Sequence, residues 1–355
     1  MSIYLGGNKT GDFYFGGTQI AKAYYGYVQV YPDIDWNPLN LPAYTMRFQF
    51  ENSSFNPTTS GISWKEGTTW TRVSSSPNVW DYTNSGYTPG ITPEYSWDIA
   101  FVNKLTQENL GGTCSILGAN TSGIREWQQT FEGCDALVSM VPFDMSAGVG
   151  FNSTFNMCYN LASPIVANFS SARYLWNTFE ATSIPSATIY NTSNCTDFSR
   201  MFASCGSLTS VNLFDTSSAT DTSSMFIDCS SLTSVPLFDL SNVINARGMF
   251  AYCSSLTNVP LFDLSSVTNA SSMFEDCEAL IEVPLFDMPS VTNVEAMFDW
   301  CRYVESGALA LYQRLSTQTN PPTAYTHCFT NCGSGTTTGA AELAQIPASW
   351  GGTGA

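Results

Sequence analysis

Residues 225–239 read MFIDCSSLTSVPLFD, and the phrase returns as MFASCGSLTSVNLFD from Met201, MFAYCSSLTNVPLFD from Met249 and MFEDCEALIEVPLFD from Met273. Working outward, its phenylalanine recurs at Phe131, Phe155, Phe179, Phe202, Phe226, Phe250, Phe274 and Phe298, at intervals of 24 residues with a single 23. A fixed period of this length predicts stacked units, because one copy cannot bury its own apolar face. The expected fold is mainly β: small N-terminal β modules, then a parallel-stranded solenoid of about eight 24-residue coils, closed by a C-terminal cap.

The period assigns roles to columns of residues. Cys134, Cys158, Cys205, Cys229, Cys253, Cys277 and Cys301 each follow a repeat phenylalanine by three residues, and Cys332 follows Phe329 in the same way. They are expected to form an inward ladder of small buried hydrophobes. Disulfides are disfavoured in a chain made in a cytosol. Zinc would need paired ligands at short spacing such as C-x-x-C, which the ladder does not offer.

Eleven residues before each phenylalanine stand Asn120, Asp144, Asn168, Asn191, Asp215, Asp239, Asp263 and Asp287. Short acceptor side chains at a fixed place read as closers of Asx turns. A calcium ladder would need several oxygens per ion, and this column supplies one side chain per copy. No metal site and no cofactor are expected.

Leu232, Val235 and Leu237, with copies at Leu256, Val259, Leu261 and Leu280, Val283, Leu285, predict a short parallel strand that points all three residues inward. Pro236, Pro260 and Pro284 mark a strand position whose N–H is spared from the ladder. Val243, Val267 and Val291 follow the Asp turn, and a helical or 3₁₀ turn is expected to carry Met–Phe–x–x–Cys.

The remaining chain divides by composition. Residues 1–31 alternate around Tyr24, Gly26, Val28 and Val30 between glycine turns, predicting a small β anchoring module. Residues 32–42 carry three prolines and read as a linker. Residues 43–112 read as a β-rich domain in which Trp64, Trp70, Trp80 and Trp97 fill a core; a sugar-stacking platform is the alternative. Residues 113–302 hold the repeats. Residues 303–355 form the expected cap, including an amphipathic helix over Gly307 to Thr317.

Charge narrows the partners. The 355 residues include 29 acidic and 12 basic side chains, a net charge of -17 with no basic run. Such a chain is ill suited to nucleic acid and is repelled by anionic membranes. No stretch reaches the roughly 20 apolar residues of a spanning helix. The opening MSIYLGGNKTGDFYFGG lacks a basic region followed by an apolar one, so synthesis without a secretory signal is expected.

Catalytic machinery is sparse. His327 is the sole histidine, and its neighbour Cys328 gains no nucleophilic geometry from adjacency alone. Glu275, Asp276, Glu278, Glu282, Glu295 and Asp299 could supply the paired acids of a polysaccharide depolymerase, but they read first as a solvated flank. No catalytic residues are assigned.

Binding is better placed at positions the fold leaves free. Those directly before each cysteine vary: Gly133, Met157, Ser204, Asp228, Tyr252, Asp276 and Trp300. Tyr252 and Trp300 suit sugar stacking or packing on a partner, and Arg247 varies on the same turn.

The Met–Phe–x–x–Cys–x–Ser–Leu–Thr–x–Val–Pro–Leu–Phe–Asp pattern over 114–302 resembles BspA-like leucine-rich repeats, also found in mycoplasma-type surface lipoproteins. That resemblance implies a leucine-rich-repeat-type solenoid and a bacterial surface adhesin. The opening IYLGGNKTGDFYFGGTQIAKAYYGYVQVYP, with YTMRFQF, SSSPNVWD and LGANTSGI ahead of the repeats, resembles virion appendage proteins of phages of gut Bacteroidales, including crAss-like phages. This second resemblance implies a head or tail fibre protein, made in the host cytoplasm without a signal. Its N-terminal module would attach to other virion proteins, its repeats would face a host glycan or protein, and the assembly would be a homotrimer.

Overall fold

A computed structural model describes residues 13–15, 18–20, 37, 39–54, 56–58, 68–73, 78–84, 105–121 and 123–354. The chain is mainly β with few helices. Strand β1 (Phe13–Phe15) pairs antiparallel with β2 (Thr18–Ile20). The rest of the expected anchoring module, most of the expected linker, and Trp64 and Trp97 lie outside the described residues.

Strand β3 (Thr45–Phe50) lies between β5 (Val79–Asn84) and β6 (Cys114–Asn120), antiparallel to both. Strand β4 (Thr68–Arg72) edges β5, and β7 (Leu137–Met140) joins the far side of β6 in parallel. Met46, Phe48 and Phe50 alternate onto the buried face, where Trp70 sits 5.5 Å from Phe48. Arg47, on the other face, grips Asp81 with two hydrogen bonds of 2.6 and 2.8 Å. Helix α1 (Gln107–Leu110), capped by Thr106, precedes β6. One sheet therefore contains strands from both sides of residue 112, and β6 is where antiparallel pairing gives way to parallel.

Strands β8 (Ile165–Asn168), β9 (Ser186–Tyr190) and β10 (Ser210–Val211) continue in parallel as a separate sheet. Past Val211 the described repeats contain no further named strand. They are joined instead by single parallel bridges, Asp197 to Asp221 to Asn245 to Asn269 to Asn293 to Ala324.

The expected inward strand through Leu232, Val235 and Leu237 is corrected here. Leu232 and Val235 are buried, but Leu237 is 59% and Leu261 62% exposed, and Leu285 is exposed too. Phe238 N–H donates to the Pro236 carbonyl at 2.9 Å, a three-residue γ-turn repeated at Phe262–Pro260 and Phe286–Pro284. That turn breaks the two-residue alternation, sending the leucine out and the next phenylalanine in. Phe238, Phe262 and Phe286 are buried and stack 5.9–6.0 Å from Phe226, Phe250 and Phe274.

The expected helical or 3₁₀ turn around each repeat phenylalanine is also corrected. Its N–H groups alternate between two destinations. Met225, Ile227 and Cys229 donate three residues back within their own turn. Thr222, Ser224, Phe226 and Asp228 donate forward to Asn245, Arg247, Met249 and Ala251 of the next repeat. Three of these donors close the turn and four cross to the neighbour, so the buried backbone is satisfied without a helix.

This alternation requires left-handed residues on either side of the phenylalanine. Ser224 (φ 54°) and Asp228 (61°) flank Phe226, Gly248 (59°) and Tyr252 (62°) flank Phe250, and Ser272 (55°) and Asp276 (57°) flank Phe274. Each non-glycine residue there costs roughly 1–2 kcal/mol. The crossing hydrogen bonds and the buried ring offset that strain.

The core is a column of rings. Phe131, Phe155, Phe179, Phe202, Phe226, Phe250, Phe274, Phe298 and Phe329 follow one another at 5.1–6.0 Å, near parallel throughout. All eleven cysteines are buried. From Cys205 to Cys301 the ladder thiols each donate to a phenylalanine carbonyl one repeat earlier, as Cys229 does to Phe202 at 3.1 Å. Where the period places Thr182 instead of cysteine, its hydroxyl donates to Phe179 O and contacts Cys205 Sγ at 3.3 Å.

After Cys301 the period breaks. Helix α2 (Ala308–Thr317) buries Ala308, Leu311 and Leu315. It starts at Gly307, whose φ of 96° and 2.1 Å clearance to Val283 O leave no room for a side chain. Helix α3 (Thr337–Leu343) is capped by Thr336, and its Glu342 carboxylate accepts from the N–H groups of Gly307 and Leu309. The last ring-bearing turn ends on Phe329, whose N–H reaches Trp350 O at 2.9 Å.

Candidate binding surface

The residues before each ladder cysteine lie in the left-handed conformation, which directs their side chains away from the ring column. Asp228, Tyr252, Asp276 and Trp300 occupy this place in four successive repeats. Their N–H groups bond forward at 2.7–2.9 Å, which fixes them side by side. Tyr252 is 41% and Trp300 40% exposed, Asp228 is exposed and Asp276 half-buried. Arg247 is exposed five residues before Tyr252, its N–H held by Asn245 Oδ1, and is not part of that row.

The C-terminal end of the row is acidic and aromatic together. Tyr252 donates its hydroxyl to Glu275 at 3.0 Å, which raises the phenol's pKa. The Arg302 guanidinium lies 4.2 Å over the Trp300 ring. Burial, then Glu275, push the Asp299 carboxyl up to about 6, against a pull downward from His327. One Asp299 oxygen, Oδ1, is buried with no hydrogen-bond partner. Burial and the neighbouring Glu278 and Glu275 raise Asp276 as well.

Of the six acids considered for catalysis, the structure gathers Glu275, Asp276, Glu278 and Asp299. Glu295 instead accepts from Thr326, and Glu282 bridges Ser306. His327 is exposed in a left-handed turn with Nδ1 3.2 Å from Thr330 Oγ1, whereas Cys328 is buried. Their side chains thus diverge, and burial raises the Cys328 thiol far above its ordinary pKa.

The Asp and Asn column closes turns. Asp215 Oδ1 accepts from the Ser217 N–H at 2.9 Å and from its hydroxyl at 2.6 Å, and Asp239 does the same with Ser241. Asp263 accepts from the Ser265 N–H at 3.0 Å, and Ser265 holds its carboxyl below the ordinary range. At Asp287 the second residue on is Pro289, which has no N–H to offer.

A second such column escaped the sequence reading. Asp197, Asp221, Asn245, Asn269 and Asn293 accept from the N–H two residues on and also form the parallel bridges. Its signal was present in the sequence, an Asp or Asn five residues before each of these five phenylalanines.

Among the described residues no group of three or more His, Cys, Asp or Glu is placed to hold a metal ion. No helix among them is long and apolar enough to cross a membrane.

No curated protein and no solved structure matches the chain. A family model described as "Mycoplasma protein of unknown function, DUF285" matches three overlapping stretches, residues 100–231, 165–260 and 196–310. These cover more than half of the sequence, and the chain belongs to that family.

Proposed function

We propose that residues 113–302 form a leucine-rich-repeat-type solenoid that serves as a non-enzymatic recognition scaffold in a phage virion, as a head or tail fibre appendage. The observation that carries the scaffold reading is the contrast between two columns. Phenylalanine and cysteine repeat almost without change inside, while the equivalent outward positions range over Met157, Ser204, Asp228, Tyr252, Asp276 and Trp300. A constant frame with a varied face is what a binding surface requires.

The virion placement rests on the likeness of the N-terminal sequence to phage appendages. In this reading residues 1–31 attach to other virion proteins, three chains assemble, and the repeats face a host glycan or protein. Immunogold labelling and mass spectrometry of purified particles test it; a chain missing from the particles overturns it.

The family match favours a second reading, a bacterial cell-surface adhesin, because its description names a cellular organism. Surface labelling of uninfected cells separates the two.

A further inference from the structure

Leu213, Leu237, Leu261 and Leu285 stand at one place in four successive repeats, exposed by 51, 59, 62 and 42%. Two residues on, Asp215, Asp239, Asp263 and Asp287 are exposed as well. The phenylalanine between each pair turns inward. With that ring turned in, the leucine and the aspartate on either side of it are both turned out. A leucine row and an aspartate row therefore run side by side up four repeats. One exposed leucine is ordinary, but a row of four rimmed by charge of one sign marks a docking surface.

Whereas Leu213 O accepts from Asn212 Nδ2 at 2.9 Å, the backbone beneath the two middle leucines is open too. Proline and the γ-turn keep it out of the hydrogen-bond ladder, and among the described residues no donor reaches the carbonyls of Leu237 and Leu261. In the last of the four repeats these acceptors are filled. Arg314 of α2 donates Nη1 to Leu285 O at 3.1 Å and Phe286 O at 3.3 Å, while Leu311 and Leu315 of the same helix are buried. The chain thus seats one arginine-bearing amphipathic helix of its own at the end of the row.

We infer that the row from Leu213 to Leu285 binds a basic amphipathic α-helix of a partner protein, laid along the direction in which the repeats succeed one another. Parallel-bridged repeats are spaced by about 4.8 Å and a helix rises about 5.4 Å per turn, so nearly one turn faces each repeat. Apolar residues at i, i+3 or i+4 and i+7 cover the leucines. Lysine or arginine beside them meets the aspartates and the open carbonyls, and Arg314 already fills such carbonyls at the row's end.

A second copy of this chain is the poorer occupant. Two aspartate rows would face each other, and the chain has 12 basic side chains against 29 acidic ones. The inference does not depend on where the protein is displayed.

The test uses the full chain and a helix-stapled peptide of about 14 residues, four turns long, with leucine on one face and lysine flanking it. Fluorescence anisotropy at physiological salt should show saturable binding. Leu237→Asp combined with Leu261→Asp should weaken it about 100-fold, tenfold for each leucine. Both residues are exposed, so circular dichroism and melting should be unchanged in that variant. A peptide of the same composition in scrambled order should bind weakly and ignore the substitutions.

Three results overturn the inference. The patterned peptide could fail to bind, or bind the double variant equally well, which would reduce the effect to bulk charge. Alternatively, the unmodified chain could self-associate and the double variant become monomeric, which would make the row a contact between copies. Particle labelling reads the virion proposal separately, so either idea can fail alone.

Discussion

The Cys253 thiol donates a 3.1 Å hydrogen bond to the carbonyl oxygen of Phe226, one repeat earlier. That carbonyl also accepts the Cys229 N–H within its own turn, so sulfur occupies the second lone pair. The cysteine ladder thus has a polar duty besides packing, and burial pushes the Cys253 thiol up to about 12. None of the eleven thiols should react with a disulfide reagent such as dithionitrobenzoate in the native chain, and all eleven should react after denaturation. Cys253→Ala should cost about 1–2 kcal/mol in urea unfolding, from the lost bond and the small cavity.

Phe250 lies between Phe226 and Phe274 at 5.6 and 5.5 Å and also touches Phe262. Phe250→Ala should cost about 3–5 kcal/mol. Leu261→Ala, on the exposed side of the same repeat, should stay within about 0.5 kcal/mol. Equal effects at the two positions would contradict the outward placement of the leucine row.

The left-handed positions give opposite signs in neighbouring repeats. A Cβ at Gly248 would meet nothing closer than Ser224 Oγ at 3.4 Å, so Gly248→Ala tests backbone strain almost alone and should destabilise by about 1 kcal/mol. Ser272→Gly, at φ 55°, should be neutral or stabilising by up to about 1 kcal/mol. Comparing urea midpoints at constant slope decides the matter.

Asp299 holds its proton more tightly when folded, at about 6 against an ordinary value of 3.8. Its contribution is therefore fully present below about 4 and is lost as pH rises through about 6. The residue is part-exposed, so solvent screening makes the effect modest. Asp299→Asn should flatten the melting-temperature profile between pH 4 and 6 and raise stability at pH 7 relative to the parent; an unchanged profile would remove the raised carboxyl from the account.

Much of the repeat's interior was legible because burial is periodic. Phe226, Cys229, Leu232 and Val243 repeat in sequence and are buried together. The helix expected over Gly307 to Thr317 corresponds to α2, since a run such as ALALYQRL has no glycine or proline to break it. The direction of Leu237 was not legible. Alternation from Val235 points it inward, and a γ-turn hydrogen bond between Phe238 and Pro236 reverses that. Yet a phenylalanine at the end of every Val–Pro–Leu–Phe–Asp copy already signalled a second buried column.

The candidate surface was half legible. The varied positions before each cysteine stood out, but their left-handed backbone did not, since Met157, Tyr252 and Trp300 belong to types that rarely adopt it. Nor did the sequence separate Arg247 from the row of Tyr252, because both fall within one turn and only the alternating hydrogen bonds assign them different directions.

The forward-donating N–H groups have a consequence for heredity. Each interior repeat offers its successor the same donors and offers its predecessor the same acceptors, so an in-frame duplication or loss of one unit leaves every remaining joint intact. Lineages can lengthen or shorten this array by recombination between near-identical copies while Gly307 and α2 keep their place against the repeat of Val283.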